Sequence, residues 1–291
     1  MTLMTKQDNN CNSCAQKGSC EDQSNGKECT CKVDRMSRIK HKIIIASGKG
    51  GVGKSTVSVN LARALQMKGM RVGILDGDIT GPDIPKLLGI EEAKLTQGQG
   101  GIEPAQAEGI KVASMALILT SRETPVVWRG PMKMAAIKQF IQDINWGDLD
   151  FLLIDLPPGT SDEPLSVVQL IPELAGAIIV TTPQEVALLD SSKAVNMIKA
   201  MKLPVLGIVE NMSGLVCPHC GESISVFGAG GGQRMSEEMD VPFLGAIPID
   251  SAVCALGDRG QTFVQGETLA GESFNKIVEK LLVVFDISSR P

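Results

Sequence analysis

Histidine is nearly absent from this chain: among 291 residues there are two, His41 and His219. That scarcity excludes a metal site built on imidazoles and leaves thiolates as the ligands for any transition-metal chemistry. Long apolar runs are missing too, and nothing approaches the roughly 20 residues that a bilayer-spanning helix needs. The opening stretch MTLMTKQDNN has no apolar core of a secretory signal. Nor is there an excess of positive charge. The formal net charge is −5, so no global positive field draws the chain to nucleic acid. The expectation is a cytoplasmic protein with neither a membrane nor a nucleic-acid partner.

What the chain does have is cysteine. Eight cysteines in a cytoplasmic setting argue for metal or redox chemistry rather than a disulfide framework. Five lie between Cys11 and Cys31, two form Cys217-Pro-His-Cys220, and Cys254 stands alone. Residues 1–37 are polar and almost free of large apolar side chains, so burial cannot offset their ordering entropy. That segment is expected to be disordered unless a metal organises it. Residues 38–291 form the second expected unit.

From Lys42 onward, short apolar runs alternate with helical stretches. The runs are KIIIA (42–46), RVGILD (71–76), KVASMAL (111–117), FLLIDL (151–156), AGAIIVTT (175–182), VLGIVEN (205–211) and FLGAIPI (243–249). All are apolar on both faces, as strands of a parallel sheet covered by helices should be. After the first run, Val57, Leu61, Ala64 and Leu65 take helical spacing, and Gly69 is the expected stop. The fold class is therefore α/β, with a doubly wound, mostly parallel sheet. A short glycine cluster, Gly228–Gly232, is the only low-complexity run, and SFNKIVEKLLVVF reads as a terminal helix packed on the sheet.

Gly48 through Ser55 fits G-x-x-x-x-G-K-[ST] between a strand and a helix, the setting in which that pattern binds phosphate. Gly48, Gly50, Gly51, Val52 and Gly53 supply a loop whose backbone N–H groups converge on phosphate oxygens. Lys54 would reach the β- and γ-phosphates, and the Ser55 hydroxyl would ligate Mg²⁺. Asp155, at the end of FLLID, would hold the metal's hydration shell, and Asp76 and Asp78 end a strand near the γ-phosphate.

With these residues in place, the chain resembles the deviant Walker A ATPases of the MinD/ParA type, because Lys49 in KGGVGKST is a second lysine that ordinary phosphate loops lack. Within that class, DGDITGPDIP, DLPPGTSDE, TTPQEVALLD and NMSGLVCPHCG resemble the Mrp/Nbp branch of ATP-dependent iron–sulfur cluster carriers, from about Lys40 to Leu282. The resemblance implies that Lys49 reaches a dimer partner's ATP, that Asp78 positions the attacking water and that Asp76 supports the metal. It also implies that Thr56 contacts the α-phosphate and Asn211 the adenine. Cys217 and Cys220 would hold a [4Fe–4S] cluster bridging a homodimer, loaded by a cluster donor and passed to apo iron–sulfur clients.

Taken alone, two thiolates are half of a tetrahedral site and suit zinc as well as iron. A zinc-bridged ATPase switch and a passive nucleotide-binding scaffold are therefore the alternative readings. The amino-terminal run Cys11-x2-Cys14-x5-Cys20 resembles the ferredoxin-like site of Nbp-type scaffolds. The family's upstream fourth ligand has no counterpart before Cys11, which leaves Cys29 and Cys31 as candidates, with zinc or a redox tail as alternatives. Cys254, in the helical segment SAVCALG, is expected to be a small buried hydrophobe.

Overall fold

The structure is a computed structural model, and it describes residues 35–79, 81–98, 101–118, 130–217 and 219–287. The five cysteines from Cys11 to Cys31, and with them the expected segment 1–37 up to residue 34, lie outside the described residues.

The chain runs β1 (Ile39–Ala46), α1 (Lys54–Met67), β2 (Val72–Asp76) and a short α2 (Ile84–Leu87). Four short strands follow: β3 (Thr96–Gly98), β4 (Gly101–Glu103), β5 (Ala105–Ala107) and β6 (Ile110–Ala113). Next come α3 (Gly130–Asp143), β7 (Leu149–Asp155), α4 (Asp162–Leu170), β8 (Gly176–Thr181), α5 (Glu185–Ala200) and β9 (Val205–Glu210). The last stretch holds β10 (Leu215–Val216), β11 (Ser223–Ile224), α6 (Gly231–Glu238), β12 (Phe243–Ala246), α7 (Ser251–Asp258) and α8 (Leu269–Val284).

Eight strands form one sheet in the order β12-β9-β8-β1-β7-β2-β6-β5. Seven are parallel, and they are the seven that the apolar runs predict. Only β5 runs antiparallel, on β6 at the edge. Two runs are shorter as strands than expected. KVASMAL leaves the sheet after Ala113, where the Ser114 hydroxyl accepts the Ala116 N–H and starts a 3₁₀ turn over Met115–Leu117. FLGAIPI pairs only to Ala246, beyond which Ile247 bonds the Glu210 carbonyl and Ile249 the Gly214 carbonyl.

Alternation along each strand fills two cores. Ile43 and Ile45 of β1 face a layer containing α1 and α8, while Ile44 and Ala46 face α3, α4, α5 and α6. Each of the three isoleucines is fully buried, a contribution of about 1.5–3 kcal/mol per side chain. The expected face of α1, Val57, Leu61, Ala64 and Leu65, is buried, and Gly69 follows the helix at φ +81°. Helix α8 buries Phe274, Ile277 and Leu281 against the sheet, as its pattern predicts. Among the described residues no helix is long and apolar enough to cross a membrane.

Cys254 departs from expectation. It does lie on a helix, α7, but that helix buries none of its residues and Cys254 is exposed. Only Val253 and Leu256 lean on the core, so the cysteine falls on the face turned away.

This topology positions the site. From β1 the chain builds outward through β2 and β6, then returns through β7 and crosses to β8, β9 and β12. The reversal lies beside β1, so the loop after β1 opens at the crevice where doubly wound sheets bind ligands.

Candidate nucleotide and thiolate site

The loop after β1 delivers an unguarded helix end. Gly53 is the residue before α1, at φ +84°, and being glycine it offers no side chain to cap the helix. The first turn holds no acidic residue either. The amide donors and the partial positive charge at this N-terminus are therefore available to an anion. Ser47 shapes the loop from within, its hydroxyl donating to the Lys49 carbonyl at 3.0 Å.

Gly48 is glycine for a reason other than phosphate. A Cβ there would lie 2.1 Å from the Asp190 carbonyl carbon and 2.4 Å from the Ser191 nitrogen, so the loop rests directly on the backbone of α5. Gly50, by contrast, has room, the nearest atom to an added Cβ being Pro158 Cγ at 3.9 Å.

Asp155 is the centre of the site. It is 1% exposed at the end of β7. Its Oδ2 accepts from Lys54 Nζ at 2.6 Å and from Ser55 Oγ at 2.7 Å, while Ser58 Oγ donates to Oδ1 at 2.6 Å. The two groups predicted to hold phosphate and metal are thus both docked on one carboxylate. A hydroxyl and a carboxylate are hard oxygen donors, which suit Mg²⁺ completed by water and phosphate rather than by a full protein cage. Among the described residues no set of three or more His, Cys, Asp or Glu is arranged to hold a metal.

Asp76 sits directly beside it, paired with Asp155 across the parallel β2–β7 register. Complete burial, and then the Asp155 charge, push the Asp76 carboxyl well above the usual range. Ser114 Oγ donates to its Oδ2 at 2.9 Å and the Asp78 N–H to its Oδ1 at 3.2 Å. Asp78 is half-buried at the mouth and accepts the Gly81 N–H at 3.1 Å. Lys49 is half-buried in the loop, and Thr56 sits in the first turn of α1, its carbonyl accepting from Asn60 Nδ2 at 2.9 Å. Asn211, after β9, turns its amide to the Val52 carbonyl at 2.9 Å and presses on Gly53, where a Cβ would lie 2.2 Å away. In this form Asn211 is a strut for the loop.

Cys217 and Cys220 lie on the β10–β11 hairpin, which sits on the same sheet edge. Cys217 N–H donates to the Glu222 carbonyl and Gly221 N–H to the Cys217 carbonyl, both at 2.9 Å, giving a tight knuckle. Cys217 is half-buried and Cys220 exposed. The backbone N–H of His219, then that of Cys220 and the Cys220 thiol, hold the Cys217 thiol below its ordinary range, which favours thiolate. Around the knuckle Val216, Ile224, Val226 and Phe227 leave large apolar side chains exposed.

Sequence reasoning missed three contributors: Ser58, Ser114 and the α5 backbone at Asp190. Ser58 had a signal, since it stands one helical turn after Lys54 and so shares its face. The others depend on neighbours that are remote in sequence: Asp76 for Ser114, Gly48 for Asp190.

Residues 38–282 match the ParA family described as NUBPL iron-transfer P-loop NTPase. The iron-sulfur cluster carrier protein of Methanocaldococcus jannaschii is 48% identical over 285 residues, covering 96% of this chain and 97% of that one. A cytosolic Fe-S cluster assembly factor NUBP2 homolog of Dictyostelium discoideum is 49% identical, covering 77% of this chain and 87% of its own. Among solved structures, the Archaeoglobus fulgidus nucleotide-binding protein in complex with ADP, with cobalt found in it, aligns with a TM-score of 0.72 at 41% identity. That match covers 81% of this chain and 92% of the other. The septum site-determining protein MinD of Pyrococcus horikoshii, complexed with Mg-ADP, aligns with a TM-score of 0.64 at 27% identity, covering 85% and 98%.

Proposed function

This chain belongs to the ParA-type NUBPL iron-transfer P-loop NTPase family, and on that premise we propose that it is an ATP-hydrolysing carrier of a [4Fe–4S] cluster. The observation that carries the reading is the shared sheet edge: a phosphate loop built around Lys54, Ser55 and Asp155, and a pair of cysteines, one half-buried and one exposed, on a hairpin rooted beside it.

The chemistry divides between the two parts. When bound, Mg²⁺ would neutralise charge on the β- and γ-phosphates, with Ser55 and Asp155 as its protein contacts. Lys54 leaves Asp155 for the phosphates, and the uncapped N-terminus of α1 receives them. Asp78 orients a water whose oxygen attacks the γ-phosphorus as the bond to the β–γ bridging oxygen breaks and ADP leaves. Asp76 stands behind the metal site, and Lys49 reaches the nucleotide of a second copy.

The cluster is cargo. One chain offers two thiolates, Cys217 and Cys220, whereas a cluster takes four; two copies about a two-fold axis supply them. The exposed Val216, Ile224, Val226 and Phe227 beside the pair suit a face that a second copy covers. Cys11, Cys14, Cys20 and either Cys29 or Cys31 hold a second cluster. Work in the cytoplasm, loading by a cluster donor and delivery to apo iron–sulfur clients complete the proposal.

The test is transfer from reconstituted protein to an apo [4Fe–4S] enzyme, read as recovered client activity with and without ATP. Stimulation by ATP that is lost in Lys54→Ala, together with phosphate release lost in Lys49→Ala and Asp78→Ala, supports the reading. Transfer at the same rate in all forms sinks it in favour of a passive scaffold.

A further inference from the structure

The glycine cluster Gly228–Gly232 and the buried Glu210 have no part in the chemistry above, yet they meet. Glu210 ends β9 and is completely buried. Its Oε1 accepts the Ser213 hydroxyl and, at 2.9 Å, the Gly230 N–H, while its Oε2 accepts the Gly232 N–H. Ser213 lies just before the cysteine hairpin; Gly230 and Gly232 lie just after it, at the start of α6. One carboxylate therefore closes both ends of the excursion that carries Cys217 and Cys220.

The glycines fit this closure. A Cβ on Gly232 would come within 3.0 Å of Glu210 Cβ and 3.1 Å of its Oε2. One on Gly231 would lie 2.7 Å from Leu188 Cδ1 and from the Pro183 carbonyl oxygen. Small residues here let the start of α6 seat on β9 and α5 at once.

Both roots of the excursion also touch the phosphate loop. At the entry, Asn211, adjacent to Glu210, bonds the Val52 carbonyl and packs on Gly53. At the exit, Gly231 packs on Leu188 of α5, and two residues further along that helix Asp190 meets Gly48. The last glycine of the loop thus meets one end of the cysteine segment directly, through Asn211, and the first reaches the other end through α5.

We infer that Glu210 is a positioning residue that ties both ends of the cysteine excursion to the phosphate loop, so that nucleotide occupancy is transmitted to the Cys217–Cys220 pair. It touches neither nucleotide nor cargo and acts through Ser213, Gly230 and Gly232. The inference rests on the proposed role of the cysteine pair.

The test needs no cluster. Reduced, cluster-free full-length protein is alkylated with iodoacetamide, with and without Mg²⁺ and a non-hydrolysable ATP analogue. Mass spectrometry reads the rates at Cys217 and Cys220, and calorimetry gives the nucleotide Kd. In the wild type, nucleotide changes the rates by about fivefold or more, within the usual range of coupling between sites. Glu210→Gln turns an amide donor toward at least one backbone N–H, so the two rates converge while Kd stays within about twofold of wild type. Ser213→Ala, which removes one donor of three and leaves the carboxylate, gives an intermediate ratio and serves as the main variant if Glu210→Gln fails to fold. Faster alkylation in the variants with the nucleotide ratio preserved would reduce Glu210 to a structural residue and overturn the inference. A wild type whose cysteines ignore nucleotide overturns it too, while cluster carriage is judged separately by reconstitution.

Discussion

Replacing Gly48 with alanine is the sharpest probe of why the phosphate loop has its shape. The added methyl would sit 2.1, 2.3 and 2.4 Å from the Asp190 carbonyl carbon, its oxygen and the Ser191 nitrogen. Ordinary carbon contacts lie near 3.5–4.0 Å, so about 1 Å or more of movement is required. All three atoms are backbone, so no rotamer change relieves the overlap. Helix α5 resists movement because Ala187, Leu188, Ala194 and Val195 are buried and Ser191 Oγ donates to Thr181 Oγ1 at 2.9 Å. The strain belongs at the upper end of overpacking costs, about 3 kcal/mol, and it divides between the fold and the loop. Borne by the fold, it lowers Tm by about 6–12 °C in a domain of this size. Borne by the loop, it raises the Kd for MgADP by about a hundredfold. Thermal unfolding and calorimetric titration of Gly48→Ala beside Gly50→Ala measure both. The Gly50 variant, with open space around its methyl, should unfold like the wild type. A Gly48→Ala protein matching Gly50→Ala in both Tm and Kd refutes the steric argument.

Asp155→Ala should destabilise the nucleotide-free protein by about 3 kcal/mol in urea unfolding, because Lys54, 7% exposed, loses its carboxylate. Asp155→Asn, which keeps an acceptor for Ser55 or Ser58, should cost less; equal stability of Asp155→Ala and wild type would count against a docked Lys54. At the opposite end of the sheet Arg71, with help from Lys40, holds the Asp150 carboxyl well below its usual range. The folded state binds that proton less tightly than the unfolded chain. The stabilisation is therefore present above the ordinary carboxylate pKa of about 4 and fades as pH falls through the depressed folded value. Asp150→Asn should flatten the acid limb of Tm against pH and leave Tm above pH 6 little changed in slope. An unaltered acid limb would show that the ion pair is too solvated to matter.

Legibility followed sequence distance. All seven parallel strands could be seen as apolar runs, because a strand buried on both faces needs no partner in view to declare itself. The short β3–β4 and β10–β11 hairpins and the edge strand β5 could not, since segments of two or three residues carry too little periodicity. The phosphate loop was readable as a local pattern, and Lys54, Ser55, Asp76 and Asp155 are brought together at one edge as expected. The reason for Gly48 was not readable, because it depends on α5, more than a hundred residues away. Ser114 was hidden because its partner Asp76 lies 38 residues earlier on a neighbouring strand, and Glu210 because two of its partners are backbone N–H groups 20 and 22 residues further on. Cys254 was misplaced because SAVCALG is apolar in composition, whereas α7 lies on the outside with only Val253 and Leu256 turned inward.

The central claim is that the Cys217–Cys220 pair holds an iron–sulfur cluster between two copies of an ATPase. Anaerobic reconstitution with iron and sulfide tests it most directly, read by UV–visible and EPR spectra, metal analysis and the mass of the species in solution. The account predicts a broad sulfur-to-iron charge-transfer absorption on a dimer. That absorption should fall in Cys217→Ala/Cys220→Ala and fall independently when residues 1–37 are removed. A protein that retains zinc, gains no such absorption and keeps the same spectrum without the two cysteines would contradict the claim and leave a zinc-bridged ATPase switch in its place.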